Sequence, residues 1–200
     1  MEKIINIFGD SIVYGGYTGG NGWVDYLRRH LEKDEEKYFE VYNLGITGET
    51  SQGLLERFDV EGESREPDTI IIGIGINDSC YLKSKDSNYV SLEEFEKNIE
   101  ELIEKSRKFT QEIFFIGLTK SDESKVLPVP WVPDFYCKNE NIKIYNDKIK
   151  EVCEKNDIHF IEMLDLLNNE DLKDGLHPSS EGHKKMFLRI KDYLKENSII

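Results

Sequence analysis

Ser11, Asp174 and His177 are the residues of this chain whose types and spacing could carry covalent chemistry. A serine hydroxyl becomes a nucleophile when a base takes its proton, and an imidazole does this best when a carboxylate fixes its tautomer and stabilises the imidazolium. Asp174-Gly175-Leu176-His177 puts a carboxylate three residues before a ring, a spacing that one turn can close. Gly9-Asp10-Ser11 puts a hydroxyl where an apolar strand stops and a glycine-rich loop begins, so inward-pointing amides there could hold a developing oxyanion. Two further stretches offer donors. In Asn43-Leu44-Gly45-Ile46-Thr47-Gly48-Glu49-Thr50, Gly45 has no side chain to keep its amide from a substrate oxygen. In Gly75-Ile76-Asn77-Asp78, Asn77 offers a side-chain amide that donates without changing its own charge.

Taken singly, each stretch also has a local explanation. Gly, Asp and Ser are ordinary turn residues, and Asn77 could bond its own backbone. Thr50 and Ser179 read as helix N-caps. His30 on a charged helix end, His159 in a strand and His183 on the closing helix read as structural. The glycines between Gly15 and Gly22 lack the lysine and hydroxyl of a phosphate loop and read as a flexible rim to the site.

The elements that must position these groups alternate. Lys3 to Phe8, Phe39 to Tyr42, Thr69 to Ile76, Ile113 to Ile116 and Ile158 to Ile161 read as five apolar strands. Helices are expected around Trp23 to Leu31, Thr50 to Phe58, Leu92 to Ile103, Ile142 to Cys153 and Ser180 to Glu196. Strand and helix in turn imply a doubly wound α/β domain with a parallel sheet, whose sites lie beyond the carboxyl ends of the strands. The 200 residues suit one domain, 1–200, without repeat or linker. The stretch 119–141 stands out as a long connection with three prolines and the aromatics Trp131, Phe135 and Tyr136. It is expected either to wall or cover the site, presenting apolar or sugar-stacking surface, or to pin itself to the core.

Cys80, Cys137 and Cys153 are odd in number, widely spaced and without a CxxC pair, which argues against a disulfide framework or a zinc site. Free thiols point to a reducing compartment. The amino-terminal apolar stretch is too short for a signal peptide, and no run approaches a membrane span, so the expected location is cytoplasmic. A net charge of -14 opposes nucleic acid and anionic membrane surfaces as partners.

Together the motifs, in the order Ser, Gly, Asn and Asp-x-x-His, resemble the SGNH or GDSL hydrolase family over residues 5–178. The resemblance implies a flavodoxin-like three-layer α/β/α sandwich with a five-stranded parallel sheet. It places the nucleophile on Ser11, the oxyanion donors on Ser11, Gly45 and Asn77, the orienting acid on Asp174 and the base on His177. The leucine of the family's name is Ile12 here, a packing residue. The expected activity is a serine esterase cleaving a small ester, short-chain acyl or O-acetyl, through an acyl-enzyme with no cofactor or metal. The alternatives are an acyltransferase using the same site and a non-catalytic flavodoxin-like domain binding a flavin or phosphate ligand.

Overall fold

The apolar run near the amino end forms β1 (Glu2–Gly9), which pairs in parallel with β2 (Tyr38–Gly45) on one side and β3 (Thr69–Gly73) on the other. The computed structural model, which describes residues 2–33 and 38–200, continues with a small antiparallel pair, β4 (Tyr81–Leu82) and β5 (Ser87–Asn88). The fourth parallel strand is β6 (Ile113–Ile116), β7 (Phe135–Tyr136) joins the small sheet beside β4, and β8 (His159–Ile161) completes the parallel one. The parallel sheet has the order β2-β1-β3-β6-β8, the flavodoxin-like arrangement, with its switch point between β1 and β3.

Eight α-helices accompany the strands among the described residues: α1 (Ser11–Tyr14), α2 (Trp23–Leu31), α3 (Ser51–Glu63), α4 (Ile76–Ser79), α5 (Leu92–Ser106), α6 (Glu123–Val126), α7 (Asn139–Lys155) and α8 (Ser180–Glu196). One layer is α2 packed with α8, and the other is α3, α5 and α7 in a row. Covering both faces explains why the central strands carry no polar alternation: Ile70 to Ile72 and all of β6 are buried. The chain is therefore an α/β sandwich with a five-stranded parallel sheet, as its sequence implies.

Four local features differ from the sequence reading. The third strand ends at Gly73, and Ile76 starts α4 instead of continuing it, because Gly75 turns the backbone with φ +125. A β-carbon at Gly75 would also meet the Phe95 ring at 2.8 Å. α3 runs to Glu63, well beyond Phe58, its polar second half supported by the Arg57–Glu61 ion pair one turn apart. The connection 119–141 contains α6 and β7, with Val126 and Val129 buried, and residues 139–141 already belong to α7.

The fourth difference overturns the expectation of free thiols. Cys80, just past α4, and Cys137, just past β7, form a disulfide with their Cα atoms 4.3 Å apart and a sequence separation of 57. Both leave the carboxyl edge of the sheet from neighbouring strands, β3 and β6, so the topology brings together what the sequence spacing keeps apart. With two of the three cysteines bonded, the thiol argument for a reducing compartment loses its premise. Only Cys153 is free; it is buried in α7, and burial pushes its thiol up to about 12. No helix of the described residues is long and apolar enough to cross a membrane.

Candidate active site

The first strand delivers Ser11 by coming unusually close to its neighbour. A β-carbon on Gly9 would lie 2.1 Å from the Gly73 carbonyl oxygen, so only glycine lets β1 finish against β3 and turn directly into α1. Asp10 caps that helix by accepting the Ile12 N–H at 2.9 Å. Its carboxyl is buried, and burial pushes it up to about 7 against the pull of the Ile12 amide and the His177 imidazole. Ile12 is buried beside Trp23 and Met186, a packing role. Ser11, the first residue of α1, is only 5% exposed.

His177 arrives on a loop that Asp174 organises. One carboxylate oxygen, Oδ1, accepts the Leu176 and His177 amides at 3.0 and 2.8 Å, and the other, Oδ2, lies 2.8 Å from His177 Nδ1. The Lys173 amide donates to the His177 carbonyl at 2.8 Å, and Ser179 caps α8 immediately beyond. Burial raises the Asp174 carboxyl, but the hydrogen bonds from the ring and the two amides outweigh it and hold the group at about 2. It is a carboxylate at neutral pH. Nδ1 therefore carries the ring proton, and Nε2, 2.9 Å from Ser11 Oγ, is left to accept the hydroxyl's proton. His177 is 6% exposed, with the rings of Tyr17 and Trp131 centred 5.5 and 5.6 Å away.

These groups open on a cleft of about 230 Å³. Ser11, His177, Asn77 and Gly48 line it, together with Tyr17, Tyr89, Trp131, Phe135 and the Cys80–Cys137 pair. The sequence-derived residues thus divide. Ser11, Asp174, His177 and Asn77 come together; Trp131 and Phe135 lie on the cleft. Tyr136 does not line it, and its ring instead packs at 6.2 Å on Tyr81 across the small sheet. Gly45 also lies off the cleft, and its N–H is already donated to Asn43 Oδ1 at 3.1 Å. Its missing side chain serves packing: a β-carbon would sit 2.3 Å from the Tyr14 nitrogen.

Gly48, three residues on in the same motif, does line the cleft. Neither its N–H nor that of Ser11 donates to any acceptor among the described residues. Asn77 Nδ2 donates to the Glu49 carbonyl at 2.9 Å, which fixes its amide beside this turn and leaves the second hydrogen for another acceptor. Glu49 is in turn clamped by Arg57, whose Nε reaches Oε1 at 2.7 Å and whose other arm donates to the Leu44 carbonyl. Below α4, the buried Asp78 accepts the Ser51 amide at 2.9 Å, and Asn98 donates to the Ser51 hydroxyl at 2.9 Å. Burial pushes the Asp78 carboxyl up to about 6. Tyr17 and Gly48 could have been found from the same signal, a glycine-rich loop leaving the carboxyl edge of β1 or β2.

The remaining histidines sit in packing roles. His183 is buried, accepts the Trp23 amide and is pushed down to about 4 by burial; His159 stacks on Phe114. No group of three or more His, Cys, Asp or Glu among the described residues is arranged to hold a metal ion.

A parallel flavodoxin-like sheet with a serine, a carboxylate-backed histidine and free amides at its carboxyl edge is the architecture of a serine hydrolase. Residues 7–185 match the GDSL-like Lipase/Acylhydrolase family, and the chain belongs to that family of hydrolases acting on ester bonds. A GDSL esterase/lipase of Arabidopsis thaliana is 27% identical over 216 aligned positions, covering 100% of this chain and 88% of the plant protein. Among solved structures, the lipase/acylhydrolase of Enterococcus faecalis superimposes with a TM-score of 0.80 at 23% identity, over 98% of this chain and 96% of its own. Axe2, an acetylxylan esterase of Geobacillus stearothermophilus, gives 0.75 at 23% identity, over 97% and 93% of the two chains.

Proposed function

We propose that the protein is a serine esterase that cleaves a small ester, short-chain acyl or O-acetyl, through an acyl-enzyme on Ser11. The observation that carries this reading is the continuous chain of contacts from Asp174 through His177 to Ser11, each link under 3 Å. His177 Nε2 takes the Ser11 proton as Oγ attacks the ester carbonyl carbon, and the imidazolium is stabilised by Asp174. The carbonyl oxygen, now negative, is held by the Ser11 amide, the Gly48 amide and the free Asn77 Nδ2–H. Collapse of the tetrahedral adduct breaks the bond to the alcohol, whose oxygen receives the proton from Nε2. Water then attacks the acyl-enzyme by the same route, and the acid leaves. We assign the second amide to Gly48 in place of Gly45, because the Gly45 hydrogen bond would have to break first.

A fluorophosphonate probe tests the covalent step directly. Stoichiometric labelling with the adduct mapped by peptide mass to Ser11 is expected, whereas an unlabelled, folded protein would refute a nucleophilic serine. Asn77→Ala is expected to lower kcat on p-nitrophenyl acetate by about 10² to 10³, the usual effect of losing one oxyanion donor. Since Asn77 also tethers the Glu49 carbonyl, the loss should fall at the upper end of that range. A variant with unaltered kcat would remove Asn77 from the oxyanion site.

A further inference from the structure

We infer that Tyr17 and Trp131 form the binding surface for the alcohol half of the ester, that this half is a cyclic alcohol, and that Lys173 is the residue positioning Tyr17. The inference rests on the Ser11–His177 chemistry proposed above and concerns what that chemistry must leave room for. His177 Nε2 hands its proton to the departing alcohol oxygen, so the alcohol has to lie against the edge of the imidazole. The carbonyl oxygen, by contrast, faces Gly48 and Asn77. The cleft is thereby divided: what touches the imidazole meets the alcohol, and what adjoins the oxyanion donors meets the acyl group.

The rings beside the imidazole are Tyr17 and Trp131, with centroids 5.5 and 5.6 Å from it. Both line the cleft, yet Tyr17 is 66% and Trp131 48% exposed, so neither is explained by core packing. Large, flat, solvent-facing aromatic rings beside a proton-transfer site suit a ligand with a flat apolar face of its own, such as the C–H face of a sugar ring or an aryl ring. A straight-chain alcohol would use little of either surface.

Tyr17 is held there at a cost to its backbone. It has φ +66, a left-handed conformation that a residue bearing a β-carbon adopts rarely and that persists where the surroundings enforce it. Lys173 supplies that enforcement: its Nζ donates to the Tyr17 carbonyl at 2.9 Å and lies 5.6 Å from the centre of the Tyr17 ring. The backbone amide of the same lysine donates to the His177 carbonyl. One residue therefore ties the Tyr17 loop to the histidine loop, setting the ring's place relative to the base.

The test uses acetates that differ only in their alcohol: ethyl acetate, p-nitrophenyl acetate and a mono-O-acetyl methyl pyranoside. Because the acetyl-enzyme is common to all three, differences in kcat/KM report on the alcohol site during acylation. In Tyr17→Ala and Trp131→Ala, the ratio of kcat/KM for the ring acetates to that for ethyl acetate is expected to fall about tenfold, as loss of an aromatic contact surface would give. Lys173→Met, which keeps the stem and removes the charge, should lower the same ratio, and Tyr17→Phe should restore it. The ring acetate whose ratio falls more identifies sugar or aryl as the natural alcohol. Equal losses on all three esters, or none, would overturn the inference even with Ser11 labelled by phosphonate. Failure of the wild-type protein to label would instead overturn the chemistry beneath it.

Discussion

Replacing Ser11 with alanine is expected to lower kcat on p-nitrophenyl acetate by about 10⁶, leaving only the residual acceleration that oxyanion donors and binding supply. The structure makes this a clean experiment. Ser11 is the first residue of α1, where alanine is well tolerated, and the cap on that helix comes from Asp10, which the substitution leaves in place. The hydroxyl's recorded partner is His177 Nε2, so its removal disturbs no other element. Thermal unfolding should therefore stay close to wild type while turnover and phosphonate labelling disappear together. Wild-type turnover in the alanine variant would show that some other group attacks the ester.

Asp174→Asn is expected to cost about 10⁴ in kcat at neutral pH through the tautomer alone. Oδ1 of an asparagine can still accept the Leu176 and His177 amides, which preserves the loop. The other position becomes an NH₂ group facing His177 Nδ1 across what is now a 2.8 Å contact, and two donors cannot share it. The ring must then carry its proton on Nε2, where it points at Ser11 and can no longer accept. Stability responds at a different pH from activity. The Asp174 carboxyl sits at about 2 in the folded chain against an ordinary 3.8, so its stabilisation is complete above about pH 4 and is lost as pH falls towards 2. Melting temperatures taken from pH 2 to pH 7 should accordingly show a shallower acid limb in the asparagine variant. An unchanged limb together with unchanged kcat would separate Asp174 from both roles.

The sequence made legible those features that depend on near neighbours. The strand at Ile113 to Ile116 and the helix at Ser180 to Glu196 have the bounds their apolar patterns suggest, and Thr50 and Ser179 cap their helices through side-chain oxygens. Ser11 and Asn77 stood out because each sits at the start of a short helix just past a strand's carboxyl end, and Asp174 and His177 because their three-residue spacing falls just before the closing helix. What was hidden depends on distant partners. Gly45 and Gly48 look equivalent in a turn, and only the approach of Tyr14 to the first of them reveals which is spent on packing. Isoleucine at position 76 continues a strand pattern by type, yet Gly75 turns the backbone out of the strand and the buried Asp78, bonded to Ser51, anchors the segment as α4. The order within 119–141 rests on β7 pairing with β4, on Ser121 donating to the Cys137 carbonyl and on the disulfide, none of which leaves a periodic signal.

That disulfide has a practical corollary for anyone measuring this protein. It fastens the end of α4, which carries Asn77, to the strip of chain that carries Trp131 and Phe135, so the Asn77 side and the aromatic side of the cleft are one covalent frame. Ser11, Asp174 and His177 lie outside that frame, on α1 and the loop before α8. A thiol reagent that reduced the bond would remove this covalent tie, leaving the β4–β7 pairing alone to join the two walls of the cleft. Kinetic constants for this protein belong to a stated redox condition, and preparations that differ only in reductant are to be compared as two forms of the site.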